Sequence, residues 1–147
     1  MTGFLIAMIS GALMSIQGVF NTDVTKSSSI WVAAGFVQLT ALAMCVVMWF
    51  VTGRPDVMAL FSVDRKYALL GGVIGAFITY TVVRSMSSLG TAKASLTIVV
   101  TQVAVAYLIE LFGLFGSEKS DFSWGKFIGL AIAIVGLVVF NMVGQDA

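Results

Sequence analysis

The chain has 147 residues, of which 59% are hydrophobic and only 10% are charged, and its mean hydropathy is +1.05. A soluble domain of this length could not bury so much apolar surface, so the composition excludes a soluble enzyme, a disordered tail and a disulfide scaffold. The one cysteine, Cys45, cannot form an internal disulfide, and the lack of histidine argues against a metal site. A net charge of +1 offers no basic face for nucleic acid. The class that remains is an all-α, polytopic membrane protein.

Five apolar segments are long enough, or nearly so, to cross a bilayer, which takes about 20 residues of helix. The connections between them are short and hold nearly all the charged residues. We therefore predict five transmembrane helices in a single domain, residues 1–147, with no cofactor. The predicted spans are Phe4 to Asn21, Ile30 to Thr52, Tyr67 to Val83, Ala94 to Leu114 and Trp124 to Val143.

Aromatic residues stand near the predicted span edges. Trp31 and Trp49 lie 18 residues apart, which corresponds to about 27 Å of helix and approaches the hydrocarbon thickness. Trp124 opens the fifth span and Tyr67 the third. We interpret these side chains as anchors at the membrane interface rather than as a ligand cage.

The charged residues give a weak orientation signal. Because five spans are an odd number, the two termini lie on opposite sides of the membrane. Loops on the amino-terminal side hold five cations and the opposite side holds three, which favours a cytoplasmic amino terminus. So small a bias also permits dual topology, in which copies insert in both orientations. The five are Arg54, Arg65, Lys66, Lys119 and Lys126, and the three are Lys26, Arg84 and Lys93.

Five spans correspond to one half of a transporter built from two inverted halves around a site at the midplane. One half cannot enclose a pathway by itself. We therefore predict that the chain forms half of a ten-helix assembly, paired either with an antiparallel copy of itself or with a paralogous partner. Small residues at four-residue spacing, as in Gly3, Ala7, Gly11 and Ser15, would permit close helix packing.

Four polar residues inside the spans are the candidate substrate-binding residues. Gln17 and Asn21 are four residues apart and share one face of the first helix. Gln102 lies near the middle of the fourth span, and Glu110 lies four residues before its predicted end. Polar groups in spans are costly and often functional. Each also has a structural interpretation: the amides as hydrogen bonds between helices or a helix cap, and Glu110 as a group solvated at the interface.

Glu110 is the candidate coupling residue. In an antiparallel pair, the Glu110 of one copy would lie at the membrane depth of Gln17 and Asn21 of the other. Desolvation favours the protonated form of a buried carboxylate, so such a group can take up a proton on one side and release it on the other. An ion pair with Arg84 or Lys93 would instead make the cavity neutral.

Two stretches resemble a known family. Residues 11–21, GALMSIQGVFN, resemble the opening helix of the YdcZ-like family, a small five-span branch of the drug/metabolite transporter superfamily. Residues 89–116, LGTAKASLTIVVTQVAVAYLIELFGLFG, are similar to its fourth helix, with a glutamine, a late acidic residue and a Phe-Gly-Leu-Phe-Gly exit. The resemblance implies a multi-pass protein of the bacterial inner membrane that exports small metabolites or drugs by alternating access as an inverted pair.

The leading functional hypothesis is therefore a secondary transporter embedded in the lipid bilayer and acting on a small molecule. The alternative is a non-transporting membrane scaffold or regulatory subunit of a larger complex, in which the polar residues only join helices. A channel is disfavoured because the chain has no ring of charge or filter-like motif. An enzyme is not expected because no set of nucleophile, base and metal ligands is present.

Overall fold

The computed structural model describes residues 2–143, which form five long α-helices and, within that range, no β-strand. All five helices are long and apolar enough to cross a membrane. The all-α fold with five spans predicted from the sequence is therefore confirmed. The helices are α1 (Thr2–Ser27), α2 (Ile30–Val51), α3 (Gly71–Leu89), α4 (Thr91–Phe112) and α5 (Trp124–Met142), with short 3-10 helices at Val57–Ser62, Lys66–Leu70 and Leu114–Gly116.

The observed helices differ most from the predicted spans at the ends of α1 and α3. Helix α1 continues six residues beyond Asn21 to Ser27, and within this extension the Thr22 and Thr25 hydroxyls each donate a 2.8 Å hydrogen bond to a carbonyl oxygen one turn earlier in the helix. Helix α3 continues past Val83 to Leu89 and stops before Gly90, whose φ of 81° no helix can accommodate. Hydropathy locates the apolar part of a helix, whereas the backbone continues until a residue breaks it.

At the far end of α4, the cap residue Gly113 ends the helix at Phe112, two residues earlier than the predicted Leu114. Gly113 adopts the left-handed conformation, with φ 63° and ψ 36°, which closes many helices. Its backbone N–H donates to carbonyl oxygens of Glu110 and Ile109. Glu110 therefore lies two residues from the end of α4, and not four.

The helices group into two compact units. The first ends at Ser88 and contains α1, α2 and nearly all of α3; the second begins at Leu89 and contains α4 and α5. The single-domain organisation expected from the sequence stays a prediction.

At the centre of the first unit, α2 and α3 both contribute small buried side chains. Ala33 and Ala34 of α2 are almost fully buried, as is Val83 of α3. The Trp31 indole stacks on Tyr80, with ring centroids 4.9 Å apart, so this tryptophan joins α2 to α3 and is not only an interfacial anchor. Tyr80 thus has a packing role against Trp31.

A second contact within this unit comes from a polar residue that the sequence analysis did not single out. The Gln38 amide nitrogen of α2 donates a 3.2 Å hydrogen bond to the carbonyl oxygen of Gly72, at the start of α3. Such bonds between membrane helices contribute on the order of 0.6 kcal/mol each. Gln38 therefore helps to fix α3 on α2.

In the second unit, α4 lies against α5. Ala94 and Val100 are its buried apolar residues, and Lys93 donates a 3.3 Å hydrogen bond to the carbonyl oxygen of Asn141, near the end of α5. A cation at a helix carboxyl terminus also interacts favourably with the helix dipole. Lys93 therefore joins α4 to α5.

Most apolar side chains of the five helices remain exposed within the chain. In the most apolar 18-residue stretch of each span, no more than 11% of the residues are buried. Exposed apolar surface on this scale is typical of helices that face lipid or other membrane helices. The small-residue ridge of α1 is also open, because a Cβ added at Gly3 or Gly11 would meet no atom within 4 Å.

Candidate functional site

A cavity between α1 and α2 contains the first two candidate residues. Its volume is about 810 Å³, which is in the range of sites for drug-sized ligands. Gln17 and Asn21 both line it, as expected for residues one turn apart on the same helix face. The remaining lining is mainly apolar and consists of Leu13, Met14, Ile16, Phe20, Val24, Ala33, Phe36, Val37 and Ala41, with Asp23 and Thr40.

Asn21 has the most unusual environment of these residues. Its side chain is 6% exposed, and it is the one polar residue in the described range 2–143 that is buried. Within that range its side-chain amide has no hydrogen-bond partner, although its backbone carbonyl accepts from Thr25. The fully buried side-chain polar atoms without a partner in this range are the hydroxyls of Ser95 and Ser120, so the Asn21 amide, although its residue is buried, stays open to the cavity that it lines.

Gln17 and Asp23 complete the polar side of the cavity. Gln17 is exposed within the chain and, like Asn21, has no side-chain partner among residues 2–143. Asp23 forms a 3.2 Å ion pair with Lys26, and about three quarters of each side chain is exposed. An ion pair so exposed contributes little to stability, so the Asp23 carboxylate is readily available to other partners.

Glu110 lines a different cavity, between α4 and α5. This cavity has a volume of about 470 Å³ and an apolar floor that includes Gly129 and Ala133. The Glu110 carboxylate forms a 3.1 Å ion pair with Lys126, and the two side chains are 49% and 53% exposed. Lys126 was not among the partners considered from the sequence, and its ammonium group leaves this cavity electrically neutral.

Tyr107 lies beside the Glu110–Lys126 ion pair and connects α4 to the loop before α5. Its hydroxyl accepts a 3.1 Å hydrogen bond from the Ser123 N–H and donates a 3.3 Å bond to the Ser123 carbonyl oxygen. The ammonium group of Lys126 lies 5.8 Å from the centre of the Tyr107 ring. The loop before α5 is thus fastened to α4 beside the ion pair.

A simple rule could have identified Lys126 from the sequence. Glu110 is two residues before the end of α4, and Lys126 is two residues after the start of α5. In two antiparallel helices joined by a short connection, residues equally far from the connection lie at the same height. An acid and a base in those positions are therefore candidates for an ion pair.

Gln102 is not brought to either cavity. It lies in the middle of α4, is exposed within the chain and has no hydrogen-bond partner among residues 2–143. The structure thus places Gln17 and Asn21 together in the first unit and Glu110 with Lys126 in the second. Asn21 alone of the four predicted residues is buried and unpaired.

Comparison with known proteins gives the family. Residues 2–139 match the model of the family described as "Putative inner membrane exporter, YdcZ". The chain is also similar to the inner membrane protein YdcZ of Escherichia coli (strain K12), with 24% identity over 135 residues, 90% of this chain and 89% of that protein. No solved structure matches the chain. A match over nearly the whole length, together with five apolar helices, means that this multi-pass inner-membrane protein belongs to the YdcZ family of exporters.

Proposed function

We propose that the chain is one half of an inner-membrane exporter, and that the cavity between α1 and α2 binds the exported compound. The observation that carries this proposal is Asn21, a residue only 6% exposed whose side-chain amide has no partner among residues 2–143 and lies in the wall of that cavity. An amide can donate and accept hydrogen bonds, so a ligand with a polar head would supply the partners that the chain does not.

The lining of the cavity defines the class of compound. Aromatic and aliphatic side chains cover most of the wall, and the polar groups are two amides, one hydroxyl and the Asp23 carboxylate. Among residues 2–143, no cationic side chain lines the cavity. The fitting ligand is a small amphiphile with an apolar body and a neutral or cationic head, because the charged group in the lining is a carboxylate.

Transport follows an alternating-access scheme in an inverted pair. Five spans make one half of a ten-helix assembly, and the cavity of one half is open along its side. A second copy in the opposite orientation closes the path and supplies a second cavity, so that rocking of one half against the other exposes the site to each side in turn. Glu110 exchanges the coupling proton, with Lys126 as its counter-charge when the carboxyl is ionised.

The Asn21→Leu variant tests the binding site. Leucine has a similar size but cannot hydrogen-bond, so we expect export of the amphiphile to fall about tenfold, the effect of losing roughly 1.4 kcal/mol of binding. The thermal stability of the protein should be unchanged or higher, because the Asn21 amide makes no hydrogen bond within residues 2–143 that leucine would remove. The measurement is uptake of fluorescent amphiphiles with ammonium or amide heads into everted membrane vesicles.

The control is Asn141→Leu, which removes an amide that hydrogen-bonds to the Leu137 carbonyl of its own helix. This variant should transport like the wild type. If Asn21→Leu instead loses stability and transports normally, the amide joins helices and the proposed site is wrong. If the wild type transports none of the compounds, the result favours the interpretation of the chain as a non-transporting scaffold.

The odd number of spans provides a test of the inverted pair. Two copies fused by a short polar linker must adopt opposite orientations, because the first copy ends on the side opposite its start. A fusion with one extra transmembrane helix in the linker forces the same orientation. We expect the first fusion to transport at the wild-type rate per site and the second to lose at least nine tenths of that activity.

Ligand binding by each fusion is measured in nanodiscs that hold one fusion chain, and transport is measured in vesicles. A difference between the two measurements detects pairing between separate fusion chains. Equal activity of the two fusions, or activity of the parallel fusion alone, would contradict the inverted pair. That result would leave the binding test at Asn21 unaffected.

A further inference from the structure

The connection between α2 and α3 carries an exposed apolar surface that the functional site does not use. The 3-10 helix Val57–Ser62 has the sequence VMALFS, and none of its residues is buried. Met58 is 68% exposed and Phe61 is 65% exposed, with Val57 and Leu60 each more than half exposed. We call these four side chains, Val57, Met58, Leu60 and Phe61, the loop patch.

The helical geometry makes the loop patch continuous. A 3-10 helix has three residues per turn, so Val57 and Leu60 lie above one another, as do Met58 and Phe61. Only the third face, with Ala59 and Ser62, is small or polar. The apolar surface therefore covers about two thirds of this helix.

The loop patch is held in place by bonds on its α2 side. The chain reverses just after α2, where Gly53 and Arg54 both have positive φ values, 95° and 55°. After this turn the Trp49 indole N–H donates a 2.8 Å hydrogen bond to the Pro55 carbonyl oxygen. The Asp56 carboxylate then accepts from the Met58 N–H at 2.8 Å and caps the 3-10 helix. The connection is thus folded back to the end of α2 and not extended into water.

Both ends of the connection reach the membrane surface. Helix α2 ends at Val51, and the second 3-10 helix, Lys66–Leu70, leads directly into α3. Trp49 and Tyr67 stand at these two junctions, where aromatic side chains prefer the headgroup level. Charged side chains flank the loop patch on either side: Arg54 and Asp56 before it, and Asp64, Arg65 and Lys66 after it.

We propose that the loop patch inserts into the membrane interface and anchors the α2–α3 connection to lipid. Apolar side chains between charged flanks are the pattern of segments that lie at the boundary of headgroups and acyl chains. The flanking cations have the charge that binds the phosphate groups of lipid headgroups: Lys66 begins the second 3-10 helix, and Arg54 lies in the turn after α2, with its guanidinium 4.7 Å from the centre of the Phe50 ring. This inference does not depend on the transport proposal.

Site-specific labelling tests the anchor. In a Cys45→Ser background, Met58→Cys and Phe61→Cys are labelled with an environment-sensitive fluorophore, and the protein is reconstituted in vesicles. We expect emission shifted to the blue, quenching by lipids with a spin label high on the acyl chain, and at least threefold less quenching by aqueous iodide than at a matched position. Asp64→Cys is that position, since it lies in the same connection but in the charged flank.

Iodide quenching at residues 58 and 61 equal to that at residue 64 would overturn the proposal. Shielding from iodide without any quenching by spin-labelled lipid would also overturn it, because the loop patch would then be covered by protein, such as a second copy. Labelled variants are first checked for wild-type helix content and elution volume, and Val57→Cys with Leu60→Cys replaces any that fails.

Discussion

Replacing Glu110 with glutamine is expected to abolish proton-driven accumulation of the exported compound while leaving the protein folded. The carboxyl of Glu110 lines the α4–α5 cavity and is half exposed, so protons can reach it. Glutamine keeps the shape and can still hydrogen-bond to Lys126, but it cannot bind and release a proton. The proposed exchange of a proton for substrate therefore fails at this position.

The size of the effect follows from the gradient that is imposed. One pH unit corresponds to 1.36 kcal/mol per proton, so a gradient of about two units can drive roughly hundredfold accumulation if one proton is exchanged per cycle. We expect the wild type to approach this value in vesicles and Glu110→Gln to equilibrate the amphiphile without accumulating it. The exchange of internal for external compound in the absence of a gradient should persist.

Two variants serve as controls for the coupling role. Glu118→Gln removes an exposed carboxylate from the α4–α5 connection, outside both cavities, and should leave accumulation unchanged. Lys126→Gln removes the ion-pair partner but retains the carboxyl, so transport should stay dependent on the gradient. Accumulation by Glu110→Gln at the wild-type level would show that the proton travels by another route, and the coupling role would then be wrong.

The membrane fold was predictable because it depends on segment properties. Five apolar stretches with short charged connections specify five spans whatever their neighbours are, since each must satisfy its backbone within its own helix. The positions of the helix ends were harder to predict from the sequence. Ser27 and Leu89 lie well beyond the apolar parts of their spans, and hydropathy does not indicate where the backbone leaves the helix.

The candidate site was predictable in its residues but not in their partners. Polar groups in apolar spans are conspicuous, and Gln17, Asn21, Gln102 and Glu110 were selected on that ground alone. Asn21 is buried and Gln102 is exposed because of which neighbouring helix approaches each face. The weak amphipathic pattern of α4 does not predict which of its faces is covered. The role of Gln38 was not predictable because its partner, the Gly72 carbonyl oxygen, lies 34 residues away in the sequence and on another helix.

Substituting Gly18 with leucine is expected to cost about 3 kcal/mol of stability, which lowers the ratio of folded to unfolded protein more than a hundredfold. Gly18 is buried, and a Cβ at this position would lie 2.5 Å from the Met86 Cε atom and 2.7 Å from its Sδ. The Val82 Cγ1 atom would be 3.4 Å away. A leucine side chain could be accommodated only if α1 and α3 moved apart.

The flexible side chain of Met86 makes the effect depend on size. The thioether can swing aside for a single methyl group, so Gly18→Ala should cost less than about 1 kcal/mol, whereas leucine extends further toward Val82. Gly11→Leu is the matched control, because a Cβ there meets no atom within 4 Å. The measurement is thermal or denaturant unfolding in detergent micelles.

The relative stabilities of Gly18→Leu, Gly18→Ala and Gly11→Leu separate packing within the chain from packing between copies. A loss confined to Gly18→Leu places the critical α1 contact inside the first unit, where Asn21 lies one turn further along the same helix. Displacing α1 there would also open the Asn21 wall of the cavity, so the variant should lose amphiphile binding along with stability. If Gly11→Leu were as unstable as Gly18→Leu, the size of residues on α1 would matter everywhere, and the Met86 contact would not explain the loss.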